Sequence, residues 1–82
     1  QRPVTVTIRY FALFREQTGK DQETLELSAA TPAAAYQEVS HRYGFSLPLD
    51  RVRFAVNGQY QPADSALPAA CTLALIPPLA GG

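Results

Sequence analysis

The sequence ends Pro77-Pro78-Leu79-Ala80-Gly81-Gly82, and these six residues are the part best suited to chemistry. The reactive group there is the main-chain carboxylate of Gly82, not a side chain. Glycine has no Cβ, so Gly81 and Gly82 can pass through a channel too narrow for any side chain. Proline fixes φ and favours extended backbone, so Pro77 and Pro78 set the angle at which the arm departs. Leu79 and Ala80 link the two pairs. Fully extended, the arm reaches about 20 Å, at ~3.3–3.6 Å per residue. The working atom expected of this protein is its own C-terminal carbonyl, carried into a distant active site.

No other residues form a recognisable catalytic set. Cys71 is the only cysteine, which excludes an internal disulfide and suits a reducing compartment. With no basic or histidine neighbour in sequence to lower its pKa, it reads as a small apolar residue beside the last strand. His41 is the only histidine and lies among polar helix positions, with no Ser, Cys or carboxylate placed beside it as a catalytic partner. No metal site is expected. Seven Lys+Arg balance seven Asp+Glu, which argues against nucleic acid and fits a protein partner. There is no apolar run near 18 residues and no signal-peptide pattern, so no membrane is expected and cytoplasmic residence follows. With 82 residues, one domain is expected, too small for a catalytic cleft plus a full core.

The elements that must hold the arm are legible in the periodicity. Val4, Val6, Ile8 and Tyr10 alternate with Thr5, Thr7, Arg9 and Phe11, which places Phe11 on the polar face of a first strand. Residues 12–18 suit a short helix stopped by Gly19. Residues 20–23 read as a polar turn and 24–28 as a second, antiparallel strand with Leu25 and Leu27 inward. Thr31-Pro32 starts the main helix, which runs to about Tyr43 and ends at Gly44. Its apolar stripe is Tyr36, Val39 and Tyr43, with Ala33 and Ala35 nearby. Phe45 to Asp50 reads as a connection held by Pro48. Residues 51–57 alternate again, Asn57-Gly58 marks a hairpin, and residues 59–61 return. After a turn-rich stretch from Pro62 to Ala70, residues 72–76 form the last strand, and Pro77-Pro78 ends pairing. This order predicts an α+β fold: a ubiquitin-like β-grasp, with a mixed sheet of four to five strands and one main helix packed across it. The expected division is a β-grasp domain over residues 1–76 and an extended arm over residues 77–82. First and last strands would lie side by side in the centre of the sheet, giving the arm a rigid base.

The chain resembles the small subunit of molybdopterin synthase, the MoaD-like sulfur carriers. The resemblance is carried by Tyr10-Phe11-Ala12-Leu13-Phe14-Arg15-Glu16-Gln17-Thr18-Gly19, like the family's F-A-x-L-R-E-x-x-G, by Thr24-Leu25-Glu26-Leu27, by Val52-Arg53-Phe54-Ala55-Val56-Asn57 and by Leu75-Ile76-Pro77-Pro78-Leu79-Ala80-Gly81-Gly82. It departs at Pro68-Ala69-Ala70-Cys71-Thr72, where the family usually has an acidic turn. It departs again in an Ala-rich main helix, for which thinner packing is expected.

The resemblance implies a non-catalytic carrier. An E1-like, MoeB-type adenylyltransferase would bind ATP and join AMP to Gly82. A sulfurtransferase or cysteine desulfurase would supply the sulfur that replaces AMP as a thiocarboxylate. The arm would then enter a MoaE-like large subunit, in a heterotetramer, and donate sulfur to the cyclic pyranopterin monophosphate (precursor Z) on the way to molybdenum cofactor. The chain itself would hold no cofactor; it has no P-loop and no G-x-G-x-x-G. Phe11, Arg15 and Ile76 are the expected partner-binding residues. Two other ubiquitin-like readings stay open: a thiamine-pathway sulfur carrier, and a modifier that forms isopeptide bonds with target lysines. A plain interaction domain with an idle tail is the remaining class.

Overall fold

The alternation of Val6, Ile8 and Tyr10 with polar residues forms strand β1, Val4–Tyr10, and all three apolar side chains are buried. The computed structural model describes residues 3–78. Strand β2 (Gln22–Leu27), helix α1 (Leu13–Thr18), helix α2 (Pro32–Tyr43), and strands β3 (Arg53–Val56), β4 (Gln59–Gln61) and β5 (Cys71–Ile76) complete the fold, with a 3₁₀ turn at Leu49–Arg51. The sheet order is β2-β1-β5-β3-β4, with β1 and β5 parallel in the middle and the other pairs antiparallel. This is the mixed five-stranded sheet with one main helix expected of a β-grasp. The radius of gyration is 11.6 Å.

Several boundaries move, and β3 is shorter than residues 51–57, since Arg51 closes the 3₁₀ turn and the strand spans Arg53–Val56. Strand β2 begins at Gln22, because Gln22 and Glu23 pair with Arg9 and Ile8 instead of staying in the turn. Strand β5 begins at Cys71, which pairs with Val6 and is buried. Burial pushes the Cys71 thiol pKa up, which suits a packing residue and not a nucleophile.

Helix α2 starts and stops as its ends dictate. Thr31 Oγ1 accepts a hydrogen bond from the Ala34 N–H at 3.1 Å, Pro32 occupies the first turn, and Gly44 closes the helix at φ 72°. Ala35, Tyr36 and Val39 are buried against the sheet, while Tyr43 is half-buried. Aromatic side chains supply the volume that the alanines lack. Phe45, read from sequence only as part of a connection, stacks on Tyr36 and Tyr43 with centroids 5.6 and 5.9 Å away and meets Phe14 edge-on at 4.9 Å. The turn-rich stretch also contributes: the Leu67 N–H donates to Ala30 O, and Ala63 O accepts from the Ala33 N–H, both at 2.9 Å. Leu67 itself is buried.

A polar cluster ties the sheet to α2. The Tyr10 and Tyr43 hydroxyls both donate to Glu23 Oε2, each at 2.5 Å, and Lys20 Nζ donates to Glu23 Oε1 at 2.9 Å. Burial opposes the Glu23 charge, but the hydrogen bonds from Tyr10, Tyr43 and Lys20 outweigh it and hold the carboxyl below its usual pKa. A carboxyl with a lowered folded-state pKa contributes stability above its unfolded pKa and loses it as pH falls through the folded value. Glu23→Gln is therefore expected to cost about 1–2 kcal/mol at pH 7. Urea unfolding should show that gap narrowing as pH drops below about 4. A gap unchanged by acid would exclude ionic bonding at this site.

Candidate functional site

The arm leaves from the middle of the sheet. Strand β5 is bonded on both sides, by β1 and β3, up to Leu75, which lies opposite Tyr10 and Phe54; its last residue, Ile76, pairs with Arg53 of β3. Pro77 and Pro78 follow directly and end the ladder, since neither has an N–H to donate. Leu79, Ala80, Gly81 and Gly82 lie outside the described residues.

Inward and outward residues follow from register. Val6, Ile8, Tyr10, Phe54, Leu73 and Leu75 join Ala35, Tyr36 and Val39 in one core, so α2 covers that face of the sheet. The alternate residues occupy the opposite face. One row across it reads Arg9, Ala74, Ala55, Tyr60, and the next pairs Ile76 with Arg53. Phe11 is one residue past Tyr10, so continuing the parallel register places it level with Ile76. Phe11 is 38% exposed and Tyr60 69%, the two large hydrophobics left open to solvent among the described residues. The Arg9 guanidinium lies 5.2 Å from the Phe11 ring centroid, a cation–π contact that leaves the charge near the ring. Arg53, Tyr60, Ile76, Pro77 and Pro78 line a shallow groove at the root of the arm.

The backbone turns sharply after Phe11. Ala12 adopts φ 49° and ψ −115°, a conformation that costs a non-glycine residue about 1–3 kcal/mol. That turn ends β1 and starts α1 at Leu13, one residue later than the sequence suggests. It leaves Phe11 partly open to solvent instead of covered by the short helix.

Phe11 and Ile76 thus each follow directly on the Tyr10–Leu75 pair that closes the β1–β5 ladder. Arg15 is not part of that register. Its side chain, on α1, is exposed and pairs with Asp21 at 3.3 Å, an exposed ion pair of small energetic weight. Three residues of the face escaped sequence reasoning: Arg9, Arg53 and Tyr60. The signal for Tyr60 was present. A two-residue Asn57-Gly58 turn sets Ala55 opposite Tyr60, and Ala55 alternates with the inward Phe54 and Val56. Both turn residues have positive φ, 51° and 86°, as that hairpin requires.

His41 is exposed on α2. Among the described residues, no group of three or more His, Cys, Asp or Glu side chains is arranged to hold a metal ion. No described helix is long and apolar enough to cross a membrane.

Comparison with known proteins gives a consistent picture. A model described as the ThiS family matches residues 8–82. Among solved structures, a candidate molybdopterin converting factor subunit 1 from Pyrococcus furiosus is similar at TM-score 0.77 and 31% identity, over 93% of this chain and 99% of that one. Small archaeal modifier protein 1 from Methanosarcina acetivorans is similar at TM-score 0.78 and 16% identity, over the whole of both chains. A complex of subunits 1 and 2 of the molybdopterin-converting factor from Helicobacter pylori contains a chain similar at TM-score 0.63 and 20% identity, over 96% of this chain and 100% of that one. The last two likenesses are of fold alone. No curated protein matches the chain.

Proposed function

This chain belongs to the ThiS family of small ubiquitin-like sulfur carriers, and on that premise we propose that it is the sulfur-donating subunit of a molybdopterin synthase. The observation that carries the choice within the family is the 31% identity, nearly end to end, to the Pyrococcus furiosus subunit 1 candidate. The segment from Phe11 to Gly19 and the end from Ile76 to Gly82 support it.

The chemistry follows from the carboxylate. Its negative charge repels nucleophiles, so it must first be activated. A Gly82 carboxylate oxygen attacks the α-phosphorus of ATP on an E1-like enzyme and releases pyrophosphate. A persulfide sulfur then adds to the acyl carbon and expels AMP, and a thiol reduces the resulting acyl disulfide to leave a thiocarboxylate. The thiocarboxylate sulfur then bonds to the pterin precursor in a MoaE-like subunit, and water cleaves the acyl–sulfur bond, which leaves the sulfur on the pterin and returns the carboxylate. A sulfurtransferase or cysteine desulfurase supplies each sulfur. The chain contributes position: β5 fixes the base of the arm, Pro77 and Pro78 aim it, and Gly81 lets it pass. Phe11, Ile76, Tyr60, Arg9 and Arg53 form the docking face, and Arg15 adds an exposed charge next to it in sequence. Cytoplasmic residence goes with this reading.

Intact-mass analysis of the chain from its native cells tests it. The expected result is a free species about 16 Da heavier, one sulfur replacing one oxygen at Gly82 under the acyl-transfer scheme. A MoaE-like subunit should copurify. High-mass adducts on many lysine-bearing proteins, with no heavier free species, would replace the carrier by a protein modifier, the reading that the archaeal modifier's fold keeps in play.

A further inference from the structure

Six of the seven basic residues in this sequence are arginines, and Lys20 is the only lysine. Arginine stays protonated and is no nucleophile, so Lys20 carries the one side-chain amine able to attack an activated acyl group. That amine is heavily occupied. Lys20 Nζ donates to Glu23 Oε1 at 2.9 Å and to the Tyr43 hydroxyl at 3.1 Å, and lies 5.6 Å from the centroid of the Tyr43 ring. Its partners are themselves anchored. The Glu23 side chain is only 13% exposed, and Tyr10 and Tyr43 both donate to its other oxygen. Tyr43 stacks on Phe45 and meets Tyr10 edge-on, so the partners belong to the packed aromatic cluster, while the Lys20 side chain itself is 49% exposed.

We propose that this chain is built as an acyl donor that does not serve as an acceptor, with Glu23 and Tyr43 holding Lys20 out of reaction with activated tails. The inference rests on the activated Gly82 of the preceding reading. A carrier bearing an acyl-adenylate meets other copies of itself in the cell. An unprotonated Nζ would add to the Gly82 carbonyl of another copy, form an amide, expel AMP with the bonding pair and pass its extra proton to solvent. The carrier would be lost as an inert linked dimer. To react, the bound ammonium must shed a proton and leave both hydrogen-bond partners. Those partners favour the charged form: the hydrogen bond to Tyr43 first, then that to Glu23, raises the Lys20 pKa above its usual value. The other groups facing the cluster are Tyr10 and Arg42; the latter's charge acts on the Tyr10 hydroxyl. Tyr10 is held neutral by burial and by its bond to Glu23, so it does not compete for the lysine's proton.

The test uses the full chain and an acetyl ester of N-hydroxysuccinimide as probe, with Lys20 acetylation followed by peptide mass mapping at pH 8. In the folded chain Lys20 should react about tenfold more slowly than in a synthetic peptide spanning residues 17–24, because its hydrogen bonds to Glu23 and Tyr43 must break first. Tyr43→Phe and Glu23→Gln, each checked for folding by circular dichroism, should recover several-fold of that rate. Equal rates in folded chain and peptide overturn the proposal, as does a slow rate that neither folded variant relieves. In a second arm, the chain prepared with Gly82 as a thioester is incubated alone. No Lys20-linked dimer should form, whereas Arg51→Lys, an exposed position on the 3₁₀ turn, should yield one. A wild-type dimer linked through Lys20 overturns the proposal directly. The labelling rate does not depend on sulfur chemistry. A slow Lys20 without any thiocarboxylate in cells would remove the carrier reading alone, and a fast Lys20 would remove only this one.

Discussion

Deleting Gly82 is expected to abolish sulfur delivery completely while leaving the domain as stable as before. The two outcomes separate because every core residue among those described precedes the arm. The innermost side chains of β5 are Cys71, Leu73 and Leu75, and the strand ends at Ile76. Removing a residue six positions beyond the strand exposes none of that core, so the melting curve should shift by less than the equivalent of about 0.5 kcal/mol. The chemistry has no such tolerance. A chain ending at Gly81 still has a terminal carboxylate, but it stops ~3.3–3.6 Å short. Misplacement of a reacting group by about 1 Å can already cost 10²-fold, so activation and transfer should both fall below detection. An unprocessed residue appended after Gly82 should fail equally, because it moves the carboxylate past the activating centre and adds a side chain to the threaded segment. Intact-mass analysis after incubation with ATP, activating enzyme and sulfur source reads the result directly. A shortened or extended chain that still gained the sulfur mass would mean that the terminal carbonyl is not the reactive group.

What sequence made legible was whatever depends on local pattern. Period-two alternation placed Val6, Ile8 and Tyr10 inward, Thr31-Pro32 and Gly44 bounded α2, and Asn57-Gly58 placed the second hairpin. The arm was read on backbone chemistry and not on tertiary context, and residues 79–82 of it lie outside the described residues. Less legible were residues whose role depends on contacts distant in sequence. Phe45 looked like part of a connection because nothing nearby indicates that Phe14, Tyr36 and Tyr43 converge on it. Glu23 looked like a turn residue, since its bond to Tyr43 spans 20 positions. The proposed docking face was half legible. Phe11 and Ile76 could be paired by assuming that β1 and β5 are neighbours. Tyr60, Arg9 and Arg53 needed the whole register from β1 to β4 before they could be seen as one surface.

That surface carries the second large effect. Phe11→Asp is expected to weaken binding to the large synthase subunit about 100-fold, close to 2.7 kcal/mol, with little loss of stability. The ring is large enough to anchor an interface, and at 38% exposure it is not buried by this chain alone. Aromatic side chains in this position gain most from desolvation on docking, and an aspartate there places an unpaired carboxylate in the space the ring would fill. It also reverses the local field: Arg9 now faces a carboxylate on the same chain, and the Arg9–Phe11 cation–π contact is gone. Tyr60→Ala should cost less, roughly tenfold, because Tyr60 sits on the outermost strand, nearer the rim. Thr5→Ala supplies the control. Thr5 pairs with Glu26 near the far end of β1, on the same face but remote from the arm, and its loss should leave affinity unchanged. Isothermal titration calorimetry with the purified large subunit measures all three, and a thermal melt of each variant guards against misfolding. The ordering matters as much as the size. Affinity lost at Phe11 and Tyr60 but kept at Thr5 maps the contact onto the end of the sheet from which the arm departs, where docking and delivery are one geometric act. Equal losses at all three positions would mean that the sheet face as a whole had been disturbed, and no loss at Phe11 would move the interface to another side of the fold.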